Sequence, residues 1–309
     1  MMRIELVAEP RLDICCDISY VINATYSLYP SMFRESSPQR VCRSIENDNA
    51  LHIVAYAGRE IVGYAIAGTA LSSTDGWIAI YVDPYKPTHI LSKAISKILY
   101  RASHLLHSKY GVTVIDVYGW SEGSILTKLI SDAIEVYSYE RWLTTMEFAH
   151  GMKPTISESR YMIKEVDTND KNAIAQALRL LDEAFAEYRW YRRKSVEAFI
   201  EIAKEYDNWI AIVATENDRV IGYIDAVTYK ALDGSTCGYI RWIAVAQSYR
   251  GRGIGRSLLY SCISKLLELG VDRIIVDAVP AAEKFYSKHG FRAVTTWTLF
   301  RVPVYWVKE

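Results

Sequence analysis

Two stretches of the chain carry one pattern. Residues 53–67 (IVAYAGREIVGYAIA) run apolar, turn polar and run apolar again, and residues 212–226 (IVATENDRVIGYIDA) repeat this. Apolar runs on either side of a short polar break predict β-hairpins, with turns at residues 57–60 and 216–218. Further along, a helical spacing of apolar residues stops at Gly111 in the first case and at Gly270 in the second, and an apolar strand follows, residues 114–117 and 274–276. Glycine is expected just past a helix end, because it adopts the left-handed conformation there without a Cβ clash. Gly63 and Gly222 are as far apart as Gly111 and Gly270, while the register slips between these anchors. The repeat is therefore one of architecture, with diverged detail.

The second copy reads as a strand at 160–166, helices near 169–187 and 195–206, and then the hairpin. A strand at 238–245, a helix at 253–269, a strand at 273–278, a short helix at 281–289 and a last strand at 291–302 complete it. This predicts a mixed α/β (α+β) domain present in two copies, residues 1–150 and 160–309. The polar, breaker-containing stretch 151–159 is the expected boundary. A length of 309 residues suits two domains.

Composition narrows the class. Half of the residues are apolar, yet no apolar run reaches the roughly 18 residues of a membrane span, which predicts a soluble protein. The first residues read as a strand start rather than a secretory signal, which predicts a cytoplasmic location. A formal net charge of zero argues against nucleic acid as a partner, since such binding rests on neutralising phosphates. Cys15, Cys16, Cys42, Cys237 and Cys262 form an odd set without a C-x-x-C pair or histidines at zinc-ligand spacing, so reduced, structural thiols and no metal are expected.

The most informative segment follows the predicted strand ending at Val245: Arg250, Gly251, Arg252, Gly253, Ile254, Gly255, Arg256 and Ser257 lead straight into a helix. Alternating glycines let backbone N–H groups converge on an anion, and the helix start adds unpaired donors and partial positive charge. This is a candidate pyrophosphate cradle. A dinucleotide fingerprint, G-x-G-x-x-G, fails because Arg256 stands at its third glycine. A Walker loop fails because the spacing is too short and arginine replaces lysine.

The segment resembles the R-x-x-G-x-G motif of the GCN5-related N-acetyltransferase (GNAT) superfamily, carried here by Arg250, Gly253 and Gly255. Residues 282–291 (AEKFYSKHGF) resemble that family's A-x-x-x-Y-x-x-x-G-F segment, in the expected order and after the expected strand. The two copies resemble the tandem arrangement of mycothiol synthase. The resemblance implies a tandem GNAT-like acyl-CoA N-acyltransferase fold and acetyl-CoA (coenzyme A) as cosubstrate. It implies that the backbone of Ile243, Ala244 and Val245 pairs with pantetheine, that residues 250–257 hold the pyrophosphate, and that Tyr286 sits by the CoA sulfur. The acceptor would be a primary amine of a small molecule or peptide; whether the chain is an oligomer is left open.

Acyl transfer from a thioester to an amine needs a neutral amine, a stabilised oxyanion and a protonated leaving thiolate. Tyr286 is the candidate acid. Many relatives carry a glutamate on the central strand, but Arg241 stands there, so Asp225 becomes the candidate base, with Asp277 and Glu283 behind it. Val279 replaces an asparagine common in relatives. Residues 188–194 (YRWYRRK) form a basic, aromatic connection that is a candidate acceptor wall, with an ordinary solvated helix end or an RNA contact as alternatives. A non-catalytic acetyl-CoA sensor or scaffold is the competing function. In the first copy, the stretch matching the phosphate loop, residues 82–91, has two prolines and no glycine, and residues 124–128 have no tyrosine. That copy is expected to be degenerate and non-catalytic, with one acetyl-CoA bound per chain.

Overall fold

The computed structural model describes residues 3–47, 50–69, 74–134, 137–149, 151, 154, 161–188 and 191–306. The first repeat runs β1 (Ile4–Ala8), α1 (Cys15–Tyr26), α2 (Pro38–Asn47), β2 (Leu51–Ala57), β3 (Glu60–Thr69), β4 (Asp75–Val82), α3 (Thr88–Tyr110), β5 (Val114–Ser121), α4 (Ile125–Asp132) and β6 (Ser138–Phe148). The second follows the same order: β7 (Met162–Glu165), α5 (Lys171–Ala184), α6 (Val196–Lys204), β8 (Asn208–Glu216), β9 (Arg219–Lys230), β10 (Thr236–Val245), α7 (Ile254–Glu268), β11 (Arg273–Ala278), α8 (Pro280–Lys288) and β12 (Phe291–Pro303). The predicted repeat and the mixed α/β class are both present.

Two compact units result, but their limits differ from the expected ones. The first comprises residues 1–143 and 295–309, the second residues 144–294. The cuts fall inside β6 and β12, not in the stretch 151–159, of which residues 152–153 and 155–159 lie outside the described residues. The later part of β12 pairs with β5 in the first unit, from Trp297↔Ser121 to Pro303↔Val114. The later part of β6 pairs with β11 in the second, from Ala278↔Thr144 to Ile275↔Glu147. Each repeat thus gives part of its last strand to the other repeat's unit. An apolar strand pattern states which face is buried and not which edge it will pair with, so this exchange left no mark in the sequence.

In the second unit the sheet order is β7-β8-β9-β10-β11-β6. The β8–β9 hairpin turns at Asn217 and Asp218, both with positive φ, the backbone of a two-residue type I′ turn. One face of the sheet is covered by α7, whose Ile254, Leu258, Leu259, Ile263 and Leu266 pack with Ile224 and Ile240. The other face carries α5 and α6, whose Leu178, Leu181 and Phe199 pack with Val213 and Tyr223. Burying both faces explains why β8 and β9 read as continuous apolar runs.

Among the described residues no helix is long and apolar enough to cross a membrane. Cys15 and Cys42 form a disulfide with Cα atoms 5.6 Å apart, which corrects the expectation of reduced thiols throughout; Cys16, Cys237 and Cys262 are free. The two bonded residues lie on α1 and α2, and only the packing of those helices brings them together.

Candidate active site

The site begins where two parallel strands part. β10 pairs with β11 from Cys237↔Arg273 to Ile240↔Val276, while its pairing with β9 continues to Val245↔Gly222. A β-bulge accompanies the change: Ile240 lies opposite Ala226 and Trp242 opposite Asp225, which leaves Arg241 as the extra residue. Beyond it, alternation decides which backbone groups face the gap. The Ala246 N–H donates to the Ile221 carbonyl on the β9 side at 2.9 Å, so Ile243 and Val245 point theirs the other way. The Val245 carbonyl accepts from Arg250 Nε at 3.1 Å. Ile243 and Val245 side chains pack toward α7, and that of Ala244 toward α5 and α6.

The strand leads into the glycine loop. Gly251 and Gly253 have φ of 77° and 83°, a conformation costly for any side chain, and Gly253 caps α7. The first full helical bond of α7 runs from Ser257 N–H to the Gly253 carbonyl, so the N–H groups of Ile254, Gly255 and Arg256 have no acceptor within the helix. Exposed Arg250, Arg252 and Arg256 surround them. Arg252 lies over the Tyr249 ring and reaches the Tyr161 hydroxyl at 3.4 Å; Arg256 lies over the Tyr260 ring. Orphan donors, a helix N-terminus and three cations suit a diphosphate, and the strained glycines show why the backbone there must be free of side chains.

Tyr286 on α8 is 4% exposed and sits edge-on to Phe285 and Phe291. Burial first, then the charges of Cys262 and Asp277, push its phenol up. Among the described residues its hydroxyl has no hydrogen-bond partner. The secondary carboxylates are engaged: Asp277 accepts from the hydroxyls of Thr145 and Tyr239, the latter at 3.0 Å, and Glu283 accepts from the Thr144 hydroxyl at 2.5 Å.

Asp225 neither faces solvent nor stands open to a substrate. It is fully buried, and its Oδ2 accepts from Trp209 Nε1 at 2.9 Å and from Arg241 Nε at 2.9 Å as well as from the Arg241 Nη2. Its Oδ1 is buried without a partner. The Arg241 guanidinium, itself buried, stacks over Phe199 and Tyr206. An ionisable residue in an otherwise apolar strand requires a partner, and that was the signal pointing to this pair. The side chain of the bulge residue is thus tied back to the strand opposite.

Of the basic aromatic run, Arg189 and Trp190 lie outside the described residues. Tyr191 is buried against Phe185 and Trp242 and donates its hydroxyl to Asp182 at 2.8 Å. Lys194 lies 5.5 Å from the Trp242 ring centroid.

The matching place in the first unit is built differently. There β4 and β5 also part, after Ala79↔Tyr118. The Asp83 N–H donates to the Val62 carbonyl, so Ile80 and Val82 face the gap as Ile243 and Val245 do in the second unit. The chain itself satisfies these groups. Trp120 Nε1 donates to the Ile80 carbonyl at 3.1 Å, and the Thr25 hydroxyl bonds both the N–H and the carbonyl of Val82, at 2.9 and 2.6 Å.

The acetyltransferase (GNAT) family model matches residues 174–291, which lie within the second unit and include its glycine loop, Asp225 and Tyr286. The chain is 29% identical over 133 residues to glucosamine 6-phosphate N-acetyltransferase 1 of Dictyostelium discoideum, a match over 41% of this chain and 80% of that protein. Both repeats together share the fold of a GCN5-related N-acetyltransferase from Sphaerobacter thermophilus, with TM-score 0.68, 16% identity, and 97% and 96% of the two chains covered. They share it also with a tandem GNAT protein from the clavulanic acid biosynthesis pathway, with TM-score 0.71, 11% identity, and 98% and 99% covered. The second unit thus matches the GNAT acetyltransferase family model over residues 174–291, and the two repeats together carry the fold of tandem GNAT proteins.

Proposed function

We propose that the second unit transfers an acetyl group from acetyl-CoA to a primary amine. The observation that carries this reading is the gap between β10 and β11, which runs directly into the glycine loop at the start of α7. Ile243 and Val245 offer backbone groups to a pantetheine arm. The loop from Arg250 to Ser257 holds the diphosphate. When bound, acetyl-CoA supplies the activated acyl group, and every other task falls to the protein or the acceptor. The Ile243 N–H, the first facing the gap beyond the bulge, polarises the thioester carbonyl. The amine nitrogen bonds to the carbonyl carbon, the carbon–sulfur bond breaks, and Tyr286 gives its phenolic proton to the departing thiolate. A phenol can fill this role because it is protonated at neutral pH and its ordinary value near 10 lies within about two units of a thiol's near 8.5. The amine releases its own proton to water.

Asp225, the sequence-based candidate for the base, is assigned instead to holding Arg241 at the bulge. No side chain is assigned as a dedicated base; an amine that enters neutral needs none. The name of the Dictyostelium discoideum relative points to an aminosugar phosphate as that protein's acceptor, which supports a small-molecule amine here. The first unit, with its gap closed by Trp120 and Thr25, serves as a non-catalytic partner.

A thiol-release assay over a panel of amines, peptides and aminosugars, read with mass spectrometry of the products, tests the reading. Release of CoA matched by acetylated amine supports it. Binding of acetyl-CoA without release across the panel would favour the competing reading, a sensor or scaffold.

A further inference from the structure

Lys194 is a cation of the second unit that stands among aromatic rings and has no carboxylate partner among the described residues. It lies in the connection between α5 and α6 and is half-buried. Its ammonium donates to the Arg192 carbonyl at 3.3 Å and faces the rings of Trp242, at 5.5 Å, and Tyr191, at 6.0 Å. It forms no ion pair among the described residues. Burial, then the charge of Arg241, pulls its pKa down.

Each nearby carboxylate already has a closer cationic partner. Asp225 is held by Arg241 and Trp209, and Asp182 accepts from the Tyr191 hydroxyl and lies 3.9 Å from Arg193. Desolvating an ammonium is costly unless an anion compensates, and ring faces and a single carbonyl compensate only in part. The position matters as much as the deficit. Trp242, which Lys194 covers, directly precedes Ile243 on β10, so the ammonium stands on the α5–α6 face of the strand whose backbone faces the gap.

We propose that Lys194 selects the acceptor by pairing with an anionic substituent, a carboxylate or a phosphate, carried by the amine. The inference rests on the acetyltransferase reading and adds the chemical class of its acceptor. The same excess of positive charge disfavours a protonated amine at this place, so an acceptor bound there gives up its proton more readily. The anion supplies the missing counter-charge, and the aromatic walls of Trp242 and Tyr191 leave the ammonium little water to compete with it.

The test uses the full-length protein with matched amines: D-glucosamine 6-phosphate against D-glucosamine, and L-phenylalanine against phenethylamine. The wild type is expected to favour at least one anionic member by about tenfold or more in kcat/KM, the size of one charge-assisted bond. Lys194→Met should remove most of that preference by raising KM, and Lys194→Arg should restore part of it. The pair that responds separates phosphate from carboxylate. Calorimetric binding of the same four amines reads the preference without turnover. A wild type that treats both members of each pair alike, in binding and in rate, overturns the proposal. So does a folded Lys194→Met variant that keeps the preference; Lys194→Gln serves if the methionine variant does not fold. Failure to bind acetyl-CoA would instead overturn the acetyltransferase reading, and the calorimetric comparison would still decide the role of Lys194.

Discussion

At the residue scale, two changes separate chemistry from binding. Tyr286→Phe should slow turnover by roughly ten- to a thousandfold, within or near the usual reach of general acid catalysis, and leave acetyl-CoA affinity close to wild type. Steady-state kinetics with a calorimetric affinity checks this, and unchanged turnover would make water the proton source. Because burial raises the phenol above its ordinary value near 10, Tyr286 stays protonated through neutral and mildly alkaline pH. The activity profile should therefore show no alkaline loss due to Tyr286 below about pH 10; a loss abolished by Tyr286→Phe with a midpoint near 8 would contradict that. Gly253→Val puts a branched residue at a φ of 83° and should weaken acetyl-CoA binding by about tenfold or more, the equivalent of the strain involved. Thermal unfolding confirms that the variant is folded. Wild-type affinity in it would place the diphosphate elsewhere.

At the scale of elements, the β10 bulge is held by a buried ion pair. Removing one partner strands the other charge, so Asp225→Ala should cost about 3–5 kcal/mol in a urea titration, and the Asp225→Ala, Arg241→Met double change should cost less than the single one. A single change costing under about 1 kcal/mol would mean that water reaches Arg241. In the first unit, reduction of the Cys15–Cys42 disulfide should lower stability by roughly 3–4 kcal/mol, from the loop-closure entropy of the cysteines' sequence separation of 27. Mass spectrometry of the non-reduced protein reads the bond, and free thiols at both positions would remove it. The glycine loop was legible in the sequence because its chemistry is local: a strand end, glycines and a helix start follow one another along the chain. Asp225 was legible only as an anomaly. Its partners, Arg241 and Trp209, lie on strands either side of its own, and sequence spacing does not show which side chains meet across a sheet.

At the scale of the whole molecule, the repeat was visible in the sequence because hairpin glycines and helix-end glycines recur at one interval. The exchanged last strands were not, since β6 and β12 carry strand patterns that would suit either sheet edge. The difference between the two units was partly visible. Residues 82–91 offer no glycine to a phosphate, but the closing of the first gap by Trp120 and Thr25 depends on side chains brought in from β5 and α1. Both observations lead to one expectation: a single acetyl-CoA site per chain, in the second unit. The most direct test is a calorimetric titration of the full-length protein with acetyl-CoA, repeated on Gly253→Val. A stoichiometry near one per chain, with affinity reduced by the substitution, is the predicted result; two sites per chain, no binding, or one site indifferent to Gly253→Val would contradict it.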